Sequence, residues 1–220
     1  MNRRSLPVAA ALATAAALLL TACGGGGDSK STDSDKIAGA DTGASKPASP
    51  SPSASASAGV DRPTIHLPSD IKNTFDWPKT GSAAKDSVLS DTKEFIKSRD
   101  MAIANQDPLD KAYRFYTEGE MAASTQEYIS DYVKHNARTT GAYRYYRDVV
   151  TMSGADTATL SYCQDQGKGY DMDIKSKKIN KTQVTKNSYV LYNAALRKND
   201  KGVWVTTKLY SQRGSAKCQP

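Results

Sequence analysis

The period of the apolar residues changes once along this chain, near Thr139, and that change constrains the fold more than any other feature. Before it, Val88/Leu89, Phe95/Ile96 and Ala102/Ile103 recur every seven residues over residues 82–105. This spacing predicts a helix with one apolar stripe, leaving Lys85, Asp86, Lys93, Lys97 and Asp100 on its other faces. Asp107-Pro108 reads as an N-cap with proline at the first helical position, opening a short helix over 108–115 that Glu118-Gly119 breaks. Met121, Thr125, Tyr128, Ile129 and Tyr132 then predict a third helix over 120–136. After Thr139 the period is two. Strands are expected at 141–152 and 157–164 around the turn Ser153-Gly154-Ala155-Asp156, with a short one near 170–174. Two more, 188–198 and 203–211, flank the hairpin turn Asn199-Asp200-Lys201-Gly202. Helices followed by strands imply an α+β domain over 82–220: three N-terminal helices packed on a curved antiparallel sheet of four to five strands. A lead-in over 62–81 carries Pro63, Pro68 and Pro78, and its stretch 70–77, with Phe75 and Trp77, could dock on that domain in extended form.

The first third of the chain has a different character. Arg3 and Arg4 precede an apolar stretch of 15 residues, 6–20, and four glycines follow Cys23. A spanning helix needs about 20 apolar residues, so residues 1–22 read as a secretory signal peptide that is removed. Leu20-Thr21-Ala22-Cys23 resembles a bacterial lipobox. That resemblance implies cleavage before Cys23, lipidation of its sulfur by a palmitate-type acyl chain, and anchoring on the outer face of the cytoplasmic membrane. Ordinary secretion with cleavage elsewhere is the alternative. Residues 24–59 are rich in Gly, Ser, Pro and Ala and hold one large apolar residue, Ile37. Such a stretch cannot offset its ordering entropy. With Cys23 it makes residues 23–61 a disordered linker with a reach of roughly 30–36 Å. The whole plan is similar to lipoproteins of high-GC Gram-positive bacteria: lipobox, spacer, one small domain.

Lipidation of Cys23 would leave two of the three cysteines, Cys163 and Cys218, as an even pair in a compartment that permits disulfides. Closing that loop stabilises a fold by about 4 kcal/mol in the chain-entropy picture. There is no Cys-x-x-Cys, and His66 and His135 lie far apart, so no metal site is expected. The formal charge of +7 falls to +5 once Arg3 and Arg4 leave with the signal. A basic surface is drawn to lipid headgroups and anionic wall polymers, or simply keeps the chain soluble.

No phosphate loop, dinucleotide fingerprint, Gly-x-Ser-x-Gly or His-Glu-x-x-His occurs, and no cofactor is expected. The element order, the aromatic-rich strands and Gly202-Val203-Trp204-Val205 resemble the nuclear-transport-factor-like family, whose bent sheet wraps its helices into a cone. In enzymes of that family Asp, His or Tyr lines the cavity. Here Asp131 and His135, four apart on the third helix, could share a face as a general base, or His135 could be a cap at the helix end. Tyr132, Tyr143 and Tyr145, from an excess of 12 tyrosines, suit either a ligand pocket or an aromatic core. Lys175, Lys177, Lys178, Lys181 and Lys186 form a basic stretch that could touch wall polymer or lipid, or be a solvated loop. No nucleic-acid motif accompanies it. The expected function is therefore a non-catalytic binding domain for a small ligand or an envelope protein. An anionic wall-polymer binder and an enzyme using the cone cavity are the alternatives.

Overall fold

The computed structural model describes residues 59–220. Cys23 and the stretches read as signal and spacer up to residue 58 lie outside the described residues. The element order is β1 (Ile71–Phe75), α1 (Ala83–Asn105), α2 (Lys111–Phe115), α3 (Gly119–Lys134), β2 (Ala137–Met152), β3 (Thr157–Asp173), β4 (Ile179–Asn180), β5 (Tyr189–Lys198) and β6 (Trp204–Arg213). One sheet runs β1-β2-β3-β5-β6, with β4 pairing β3 off that path. The molecule is α+β, and its sheet is mixed rather than wholly antiparallel. β1 joins β2 in parallel, from Ile71 opposite Gly141 to Phe75 opposite Tyr145. Sheet order places a sixth strand where 70–77 had been expected only to dock.

Local chemistry explains most boundaries. α1 begins after Ser82 and ends at Gln106, which takes the left-handed conformation and returns its N–H to the carbonyls of Ala102 and Ile103. α2 starts three residues later than Asp107-Pro108 suggests. Asp107 spends its carboxylate on the Leu109 N–H, and Asp110 caps the helix by accepting from the Ala112 N–H at 2.7 Å. α3 runs to Lys134, two residues short of the sequence expectation, and Asn136 turns the chain into β2 with positive φ. β3 is 17 residues long and absorbs the stretches expected as two strands. β2 carries register shifts between Ala142 and Arg144 and between Tyr146 and Val149. Bulges of this kind bend a strand and raise its twist, which wraps the sheet around the helices.

α1 packs on β2 and β6, and α3 packs on β6, α1 and β2. The main core lies between helices and sheet, with Val88, Leu89, Phe95, Trp204 and Tyr162 at its centre. A second cluster of Ala102, Ile103, Tyr113 and Ile129 sits where the three helices meet. α1 buries more than the one stripe expected of it. Asp91 bonds Arg62 and accepts from the Trp204 N–H at 2.8 Å, tying lead-in, helix and β6 together. Asp100 is also buried, at 3 % exposure, although periodicity put it on a polar face.

Alternation along the strands sends Tyr146, Cys163 and Leu191 to the other side of the sheet. There Cys163 and Cys218 are bonded, with Cα atoms 5.4 Å apart, and the Tyr146 hydroxyl donates to the Cys218 carbonyl. The C-terminal segment is thereby pinned across the outer face of the sheet. Among the described residues no helix is long and apolar enough to cross a membrane.

Candidate functional site

Between the C-terminal half of α1, α3 and the concave side of the sheet lies a cavity of about 420 Å³, within the range that holds small ligands. The pairing of β3 shapes its mouth. β5 pairs with β3 up to Asp165 and β4 takes over at Asp171, so residues 166–170 have no neighbour on that side. The segment after β4 arches away there, and Asn180, Thr182 and Gln183 form the outer wall.

The floor is built from Asp100, Thr139, Tyr145 and Gln164, all buried. Arg99 donates to Asp100 Oδ1 through Nη2 at 2.8 Å, and the Asn73 amide donates to Asp100 Oδ2 at 2.8 Å. Both carboxylate oxygens are therefore engaged. Burial by itself would lower the Arg99 pKa, but Asp100 and the surrounding tyrosines hold it well above its ordinary value. Tyr145 straddles core and cavity. Its ring stacks on Phe75 at 4.7 Å, while its hydroxyl accepts from Gln164 Nε2 at 2.8 Å. Gln166 Nε2 donates to Gln164 Oε1 at 2.7 Å, and Arg213 Nη1 to Gln166 Oε1 at 2.9 Å. This chain of donors runs from the mouth to the floor and leaves the Tyr145 O–H proton free to be donated. The Thr139 hydroxyl, on the same floor, is buried without a hydrogen-bond partner.

Tyrosines make the side walls. Tyr132 donates to Asp171 Oδ1 at 3.1 Å, and its ring packs edge-on to Tyr128 at 5.3 Å. Tyr143 lies against Gly169, where a Cβ would sit 2.2 Å from the ring. Tyr192 stacks on Tyr162 at 5.1 Å. Burial pushes the phenols of Tyr132, Tyr143 and Tyr145 well above the ordinary tyrosine range. They are protonated donors at neutral pH, not bases. No aliphatic side chain lines the cavity among the described residues.

Tyr132, Tyr143 and Tyr145 thus come together on one wall system, and His135 does not join them. His135 is exposed at the C-terminus of α3, and its Nδ1 meets the Asp131 backbone carbonyl at 2.7 Å. The ring caps the helix instead of engaging the Asp131 carboxylate, and the pair lines no cavity with the tyrosines. The two readings of the tyrosines divide by residue: Tyr113, Tyr116 and Tyr162 are core, while Tyr128, Tyr132, Tyr143 and Tyr192 are wall. Lys175, Lys177, Lys178, Lys181 and Lys186 are all exposed. They occupy the segment whose other residues edge the cavity mouth. Sequence reasoning missed Arg99, Gln164, Gln166, Asp171 and Arg213 as site residues. No motif marks them, because they meet only through strand pairing and the packing of α1 on the sheet. Among the described residues no cluster of three or more His, Cys, Asp or Glu could hold a metal.

No protein-family model matches this chain, and no curated protein matches its sequence. Solved structures are similar to part of this chain. A ketosteroid isomerase-like protein from Erwinia carotovora atroseptica is similar at 12% identity and a TM-score of 0.42, covering 61% of this chain and 98% of its own. An NTF-2 like protein of unknown function from Shewanella oneidensis aligns at 14% identity and a TM-score of 0.35, covering 56% and 97%. A domain of unknown function with a cystatin-like fold from Nostoc punctiforme aligns at 15% identity and 0.37, covering 61% and 79%.

Proposed function

We propose that this chain is an extracytoplasmic lipoprotein, anchored through acylated Cys23, whose α+β domain binds a small polar ligand without transforming it. The domain takes the nuclear-transport-factor-like cone form in this reading, supported by three helices lying in the hollow of a bent sheet. The anchor rests on Leu20-Thr21-Ala22-Cys23 and the spacer behind it. The observation that carries the binding role is the cavity wall: tyrosine hydroxyls, two guanidiniums and amides, with no aliphatic side chain among the described residues. An apolar ligand would leave the Tyr145 hydroxyl proton without an acceptor, at a cost of roughly 1–3 kcal/mol. A polar one satisfies it. Asp100 is engaged at both oxygens, and the tyrosines are held protonated, so the wall offers hydrogen bonds rather than a poised acid and base. A thermal-melting survey of the full chain with polar and apolar metabolites tests this directly. Stabilisation by polar compounds that Tyr145→Phe reduces is the expected result, and stabilisation only by sterols or fatty acids would refute the reading.

A second reading, contact with anionic wall polymer, is favoured by the exposed lysines on the segment bordering the mouth. Polymer binding should then fall steeply with salt and with charge neutralisation at Lys175, Lys177, Lys178 and Lys181.

A further inference from the structure

The cavity's charge and hydrogen-bond pattern narrow the ligand class, and this step rests on the polar-ligand reading above. We infer that the site takes a monosaccharide-sized acidic sugar, a ring of vicinal hydroxyls carrying one carboxylate. Three observations converge. First, the lining mixes aromatic side chains, Tyr143 and Tyr192 among them, with polar ones such as Asp171 and Gln166, so both the C–H side and the hydroxyls of a sugar find partners of matching chemistry. Sugar hydroxyls both donate and accept, so they suit a wall that supplies both kinds of group side by side.

Second, the floor keeps one hydroxyl proton to give: the Tyr145 hydroxyl accepts from Gln164 Nε2 and donates to no protein group among the described residues. A buried hydroxyl left unpaired is costly unless something polar fills the space.

Third, the cations are unequal. Arg99 is neutralised by Asp100 at the floor, whereas Arg213 at the mouth contacts Gln166 and the Asn187 carbonyl, with no carboxylate within ion-pair distance among the described residues. Five exposed lysines on the bordering segment add positive potential around that mouth. A single negative group therefore sits best at Arg213, with the hydroxylated ring directed inward. Among the described residues Asp171 is the acidic wall residue without a cationic partner, and it lies beside Tyr132, where it can accept from a ring hydroxyl.

The test uses the purified full chain in detergent and saturation-transfer NMR with titration. The probes are three hexuronates (gluco, galacto and manno), the three matching neutral hexoses, and a panel of polar non-sugars such as amino acids. Saturable binding of at least one hexuronate, about tenfold tighter than its neutral counterpart, is expected. Arg213→Gln should weaken the hexuronate about tenfold more than the matching hexose and so erase that preference, and Tyr145→Phe should weaken both sugars by a similar factor. Silence of all three hexuronates overturns the inference. If amino acids or other non-sugars then bind in a Tyr145-dependent way, the polar-ligand reading survives. If nothing in the panel binds, both fall. A hexuronate preference untouched by Arg213→Gln would also overturn it, since the carboxylate would then sit on exposed lysines.

Discussion

Gly169 shows how a single missing Cβ can set the shape of a site. The Tyr143 ring occupies the space where that carbon would be, 2.2 Å from Cε1. Gly169→Ala should swing Tyr143 out of place and cost about 1–3 kcal/mol, read as a lower melting temperature together with weakened ligand binding. Gly141 is constrained differently. Its φ of +94° is one that L side chains rarely adopt, and an added Cβ would meet the Lys168 carbonyl oxygen at 2.2 Å. Gly141→Ala should therefore cost at least about 2 kcal/mol in a denaturant melt. Asp70 supplies a pH dependence. Arg138 first, then Thr140, bond its carboxylate and hold its pKa below the ordinary value, against a smaller opposing effect of burial. A depressed folded pKa means the stabilisation is present above the unfolded value and is lost as pH falls through the folded one. Asp70→Asn should flatten the acid side of the stability curve below about pH 4, modestly, because the carboxylate is partly exposed. Urea melts across that range decide it.

At the scale of elements, two ties matter, one at an edge of the sheet and one at its centre. β1 is only five residues long and pairs in parallel with β2. It is anchored by aromatic contacts, Phe75 on Tyr145 at 4.7 Å and Trp77 edge-on to Tyr162 at 5.4 Å. Such an arrangement was out of reach of the sequence, since Pro68 and Pro78 bracket a run too short to read as a strand and nothing local names its partner. The other tie is the Cys163–Cys218 bond across the outer face. Replacing both cysteines with serine should lower stability by about 4 kcal/mol, measured by chemical denaturation without reductant. The parity of the cysteines pointed to this bond, and the ladder of β3 with β5 placed it.

For the whole molecule, the change in composition between the first third of the sequence and the domain after it organises the remaining expectations. If Cys23 carries the lipid, Cys23→Ser should move the protein from the membrane fraction to the soluble one with its ligand binding intact. Fractionation of cells expressing both forms checks it, and retention of the serine variant on the membrane would point to another anchor. A tether of the kind proposed would let the domain, on a chain of net charge +5 after signal removal, sample anionic polymers. Binding in the cavity and contact through the lysines need not compete, because Lys175, Lys177 and Lys178 are exposed while the floor at Tyr145 is buried.

The sequence by itself determined the long helices and the last hairpin. The seven-residue recurrence in α1, the alternation in β5 and β6 and the Asn199–Gly202 turn each follow from interactions between neighbours in the chain, as does the helix-then-strand order behind the α+β class. The tertiary structure alone decided which tyrosines are core and which are wall, that Asp100 is buried, that β1 lies parallel to β2, and that Gln164, Gln166 and Arg213 form one donor chain. Those outcomes depend on residues tens of positions apart, such as Arg213 and Gln166, 47 residues from each other. A periodic pattern specifies which face of an element turns inward. It carries no information about which other face it will meet, and a cavity is a property of that meeting.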